Sequence, residues 1–226
     1  MSSTGGERAI SRRRVISLAA AAALGASLVP GTFRLGGPSL ADAGPVTTLP
    51  PGFAFLDSPE FGIRVAIPAD LVPIRPWDLM LEQGAEDAFR ELAQRSRQTL
   101  DEWLDHQLNS VDVAAVADDG ASINVMRIHS VVVPSPAALA AEAEALELTE
   151  VEWGQAMTAF GRATTMRSNT PLFGGALTVP GYVLWAGNAR GVFSIQVTAE
   201  DGDVVDALYA IVLRTLQPIP PDGTAR

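Results

Sequence analysis

Few side chains in this sequence can do acid–base, nucleophilic or metal chemistry. His106 and His129 are the only histidines, cysteine is absent, and all sixteen basic residues are arginines. Thiol nucleophiles, thiolate-held metals, Schiff-base lysines and the phosphate-loop lysine are therefore excluded. His106 follows Glu102 by four residues, a spacing at which a carboxylate can orient an imidazole as a general base or a ligand. The same position suits a surface histidine near a helix C-terminus, where positive charge is favoured. His129 precedes Ser130, which is compatible with a Ser/His pair and equally with an ordinary strand residue. Glu200, Asp201, Asp203 and Asp206 gather oxygens of the kind calcium takes, but their spacing is not that of an EF-hand. A turn at Gly202 and a helix cap at Asp203 account for them as well. No G-x-S-x-G elbow, H-E-x-x-H motif or glycine-rich phosphate loop is present, and nothing in the sequence names a cofactor.

The aromatic residues carry the next signal. Trp103 and Trp185 follow the periodicity of their segments and are expected in the core. Trp77, after Pro76, and Trp153, before Gly154, fit it less well and form a candidate binding patch. Arg162 and Arg167 flank Thr164-Thr165, and Arg190 stands in a turn; they read as an anion site or as solvated charges.

These residues must be positioned by the elements around them. Phe61, Ile63, Val65 and Ile67 alternate with small or polar residues, which predicts a half-buried strand paired with the Phe53–Phe55 segment. Glu86 to Leu108 predicts one amphipathic helix. Its stripe includes Phe89, Leu92, Trp103 and Leu108, with Glu91 facing Arg95 one turn on. Val111–Ala117 and Ser122–Val133 read as strands joined at Asp119-Gly120. Ser135-Pro136 opens a second helix through Leu148. Glu150–Thr165 reads as one strand, Asn169-Thr170-Pro171 and Gly174-Gly175 as a loop, and Thr178–Ala186 and Gly191–Ala199 as two more strands. A last helix, capped by Asp203, buries Val205, Leu208 and Val212. Such an order predicts an α+β sandwich, a mostly antiparallel sheet flanked by about three helices.

The N-terminus is of another kind. Arginines at 12–14 precede an apolar stretch from Leu18 to Val29, and Ser39-Leu40-Ala41-Asp42-Ala43 is a small-x-small cleavage pattern ending at Ala43. Ser11-Arg12-Arg13-Arg14-Val15-Ile16 resembles a twin-arginine translocation signal, with Arg12 and Arg13 as its pair. The apolar stretch is too short for the ~20 residues that span a bilayer. Residues 1–43 are thus expected to be a signal peptide, 44–51 a proline-rich linker, 52–218 a single domain and 219–226 a loose tail. Five of the sixteen arginines and two of the 26 acids fall in the signal, which leaves eleven against 24 and a net charge of −13 on residues 44–226. That charge disfavours nucleic acid as a partner.

The run Phe61-Gly62-Ile63-Arg64-Val65-Ala66-Ile67-Pro68 after a short strand is similar to the photosystem extrinsic protein PsbP and to exported LpqN-type proteins. So is the ending, in which Tyr182–Trp185, a turn and Val192–Ala199 precede an acidic-capped helix. The chain departs from that pattern at Leu71, where a tryptophan is common, and in lacking the lipidated cysteine. The resemblance implies an exported, non-enzymatic binding or assembly protein of the cell envelope. Its partners would be the twin-arginine translocase during export, then an envelope protein or a small apolar ligand. The alternative is an exported hydrolase with a Ser/His/Asp site built on His106 or His129.

Overall fold

The computed structural model describes residues 49, 51–74, 85–117 and 119–220. Arg12, Arg13, Ala43 and Trp77 lie outside the described residues. The fold is α+β, with two antiparallel sheets and four helices among the described residues.

The small sheet is formed by β1 (Phe53–Ser58), β2 (Ile63–Pro68) and β10 (Gln217–Pro218), in the order β1-β2-β10. Phe53 stands opposite Pro68 and Ser58 opposite Ile63, as the alternation predicts. The large sheet has seven strands: β3 (Val72–Ile74), β4 (Val111–Val116), β5 (Ser122–Ile128), β6 (Thr149–Thr158), β7 (Gly161–Leu172), β8 (Leu177–Asn188) and β9 (Gly191–Thr198). Their order is β3-β4-β5-β9-β8-β7-β6, which leaves β6 as a ten-residue edge.

Three helices, α1 (Ala85–Arg95), α2 (Leu100–Ser110) and α3 (Pro136–Ala145), bury their stripes on one side; α4 (Gly202–Thr215) lies on the other. The main core joins Ile63, Val65 and Ile67 of β2 and Val205, Leu208 and Val212 of α4 to Ile123, Val125, Leu184, Phe193 and Ile195 of the large sheet. A second cluster packs Phe89, Leu92 and Trp103 over Leu172 and Val179. A third packs Leu139 and Ala143 of α3 over Met166, Val183 and Trp185.

Several expectations are corrected. The helix predicted over 86–108 is two helices. Arg97 takes a left-handed φ of 57°, and the amides of Gln98 and Arg97 donate to the carbonyls of Ala93 and Gln94, which closes α1. Thr99 then starts α2. Its hydroxyl accepts from the Glu102 amide at 3.2 Å, and the Glu102 carboxylate accepts from the Thr99 amide at 2.9 Å. The Thr99 amide, and the Thr99 hydroxyl donating to the same carboxylate at 2.8 Å, hold the Glu102 carboxyl below its ordinary pKa. The strand predicted over 150–165 is the β6–β7 hairpin, turned at Ala159-Phe160 with Gly161 at φ 94°. Asn169-Thr170-Pro171 belongs to β7 and is no loop; β6 pairing stops at Asn169, so Pro171 has a strand neighbour on one side only. The strand predicted to reach Val133 ends at Ile128. Asp201, not Asp203, caps α4: its carboxylate accepts from the Asp203 amide at 2.8 Å. Ser135 caps α3 as predicted. The short strands β3 and β10 carry no periodicity and were not expected.

A pair on α1 rivets the helix layer to the sheet. Glu91 accepts from Arg95 and from the amides of Phe173 and Gly174 in the β7–β8 turn. Arg95 donates to the carbonyls of Pro171, at 2.6 Å, and Leu146, at 3.2 Å.

Candidate functional site

Alternation along a strand assigns neighbouring residues to opposite faces of the sheet. In β9, Phe193, Ile195 and Val197 enter the α4-side core, so Ser194, Gln196 and Thr198 face the helices on the other side. Register carries the assignment across the sheet. Asn124 of β5 stands opposite Gln196, and Met126 opposite Ser194. On β8, Val183 pairs with Gln196 and Trp185 with Ser194. On β7, Ser168 pairs with Gly181 and Thr170 with Val179. A band of neutral polar side chains therefore crosses the middle of the sheet. It lies between the apolar cluster under α1 and α2 and the one under α3.

This band is fully enclosed. Asn124 and Ser168 are 1% exposed, and Thr170, Ser194 and Gln196 are 0% exposed. One pair is satisfied, Ser122 with Thr198 at 2.8 Å across β5 and β9. Both polar atoms of each amide, Asn124 and Gln196, have no hydrogen-bond partner, nor do the hydroxyls of Ser168, Thr170 and Ser194 or Nε1 of Trp185. Buried polar groups are nearly always paired, so a contiguous group of unpaired ones needs an explanation. Each costs about 1–3 kcal/mol if nothing bonds to it. The set offers donors and acceptors but no charge: amides, hydroxyls and one indole N–H.

The residues singled out in the sequence are distributed otherwise. Trp103 and Trp185 are core residues, as predicted. Trp153 is half-buried, its ring centre 6.3 Å from that of Trp185. It closes a crevice with Leu139, Ala143, Leu146 and Met166 that has room for about one water, too little for a ligand. The acidic cluster is spent locally: Asp201 caps α4, and Asp206 accepts from Arg167 at 3.2 Å. Among the described residues no group of three or more acidic or histidine side chains is placed to hold a metal. Arg190 is turned to the carbonyl of Pro59 and lies over Gly62, tying the β8–β9 turn to the β1–β2 turn. Ser130 donates to the carbonyl of Val132 at 2.7 Å, within its own turn. His106 and His129 come together, their ring centres 6.1 Å apart.

No known protein family model matches this chain, and no curated protein matches it significantly. No helix among the described residues is long and apolar enough to cross a membrane. The site rests on its own geometry: a buried, neutral, hydrogen-bonding band flanked by aromatic and aliphatic side chains.

Proposed function

We propose that this protein is a non-enzymatic binding protein of the cell envelope, exported through the twin-arginine route. The polar band is its ligand-contacting surface. The observation that carries the reading is the set of unpaired buried polar atoms of Asn124, Ser168, Thr170, Trp185, Ser194 and Gln196. Six neutral groups with unused hydrogen-bonding capacity are costly in a closed core and useful against a ligand that supplies their partners.

The chemistry of the band narrows the ligand. No ionised side chain belongs to it, so a charged molecule would be buried without a counter-charge. The band lies between apolar clusters containing Trp103, Phe89, Met166 and Trp185. The ligand is therefore small, uncharged and amphipathic, with hydroxyl or amide groups for the band and an apolar body for its flanks. This revises the apolar ligand expected from the sequence. The engaged hydroxyl of Ser130 and the capped acids near α4 favour binding over hydrolysis.

The test is native mass spectrometry of the chain after export by its own signal. A non-covalent adduct is expected, and it should be lost when Asn124 and Gln196 are both replaced by leucine. If no adduct is seen, and no neutral small molecule raises the melting temperature, the ligand reading fails. Export itself is tested by replacing Arg12 and Arg13 with lysine, which should leave the precursor in the cytoplasm.

A further inference from the structure

The only two histidines of the chain are separated by 23 positions in sequence, yet the fold puts their rings side by side. His106 is half-buried on α2, and His129 is exposed just beyond the end of β5. We infer that His106 and His129 form a divalent transition-metal site joining α2 to the end of β5.

The geometry fits two imidazoles on one ion. With metal–nitrogen bonds of about 2.0–2.1 Å along the ring axes, two ring centres sharing a tetrahedral ion stand about 5 Å apart. The observed separation is 6.1 Å, and His129 is exposed, so a small rotation of its side chain brings the pair to that spacing. Imidazole nitrogens with no thiolate select zinc, nickel or copper over calcium and magnesium, which take oxygen. Two protein ligands leave the remaining positions to water. The site borders an open depression of about 350 Å³ lined by Arg127, His129, Ser130, Val131 and Gly191, so water and a metal ion can reach it. The one cation there, Arg127, is paired with Glu60. The acidic surface further favours a divalent cation.

Such an ion would link α2 to the end of β5. Helix α2 lies against β4 and β5, the strand that carries Asn124. A metal between His106 and His129 would hold this helix down over the polar band. The metal site does not depend on the ligand reading, because His106 and His129 are not part of the band.

The experiment is calorimetric titration of the full chain with zinc chloride and with nickel chloride, followed in parallel by tryptophan fluorescence. Trp103 is three residues before His106 on α2 and reports on the site. One equivalent per chain is expected for each metal. His129→Ala and His106→Gln should each weaken binding at least tenfold, with unchanged circular dichroism and melting temperature in the absence of metal. Asp203→Asn should bind as the wild type does. Absence of binding overturns the inference, as does binding that survives loss of both histidines. A stoichiometry of one metal per two chains overturns it too, since the ion would then join copies and not elements. Failure of these titrations would leave the polar band and its mass-spectrometric test untouched.

Discussion

Replacing Asn124 and Gln196 together by leucine tests whether the polar band is kept for binding or for folding. The two side chains face each other across β5 and β9, at 1% and 0% exposure, and bring four unpaired polar atoms into the core. At about 1–3 kcal/mol for each unpaired group, removing all four would stabilise the fold by at least about 4 kcal/mol. A buried water bonded to the amides would return part of that cost. Two leucines of slightly different shape cost about 1 kcal/mol more in repacking. The expected net gain is about 2–4 kcal/mol, a melting temperature higher by about 5–15 °C in a domain of this size. The assay is thermal and urea unfolding of residues 44–226, wild type against variant, with a constant urea slope confirming that the fold is unchanged. Greater stability with a lost adduct is the signature of groups retained for function at a cost in stability. A variant that melts below the wild type would refute the reasoning, since the amides would then be parts of a structural network.

Glu91→Ala removes the acceptor that Arg95, Phe173 and Gly174 share, and leaves Arg95, at 9% side-chain exposure, with two carbonyls and the exposed Glu147 carboxylate at 3.4 Å. A loss of about 2–4 kcal/mol is expected by urea unfolding, between the values for a charged hydrogen bond and a buried ion pair. Arg97→Gly relieves a left-handed φ of 57° at the end of α1 and should raise stability by about 0.5–1 kcal/mol, read as a higher urea midpoint. Burial pushes the Tyr209 hydroxyl up to about 12, where its ring stacks on Tyr182 at 3.9 Å. The folded state then holds a proton that the unfolded chain releases near pH 10, so stability is constant below that pH and falls as pH rises from 10 towards 12. Tyr209→Phe should flatten that alkaline decline, as measured by the melting temperature across the same window.

The sequence carried the periodic elements well and the site poorly, for one physical reason. Ile63–Ile67 and Ser135-Pro136 announce a strand and a capped helix through local pattern, and both are present. Thr99-x-x-Glu102 is an equally local signal, a capping box that divides the two helices, and it was hidden inside a continuous apolar stripe. In Ser122-Ile123-Asn124-Val125, polar and apolar residues alternate, which ordinarily marks a strand with one wet face. Here helices cover that face, so Asn124 is buried by elements outside its own strand. Alternation tells which residues share a face; only tertiary packing tells whether the face is dry. The meeting of His106 and His129 is hidden in the same way, since one belongs to a helix and the other to a strand end.

The small sheet sets an order of events during synthesis. Gln217 and Pro218 of β10 pair with Arg64 and Ile63 of β2, and the Ile219 amide donates to the Gly62 carbonyl at 2.9 Å. These contacts join positions about 150 residues apart, the separation of the Ala66–Thr215 bond beside them. The first hairpin can form early on the ribosome, but its sheet is closed only when β10 has been translated. Until then the apolar faces of Ile63, Val65 and Ile67 lack α4 as a cover. The domain's first hairpin is thus held incomplete until a segment about 150 residues downstream has been made.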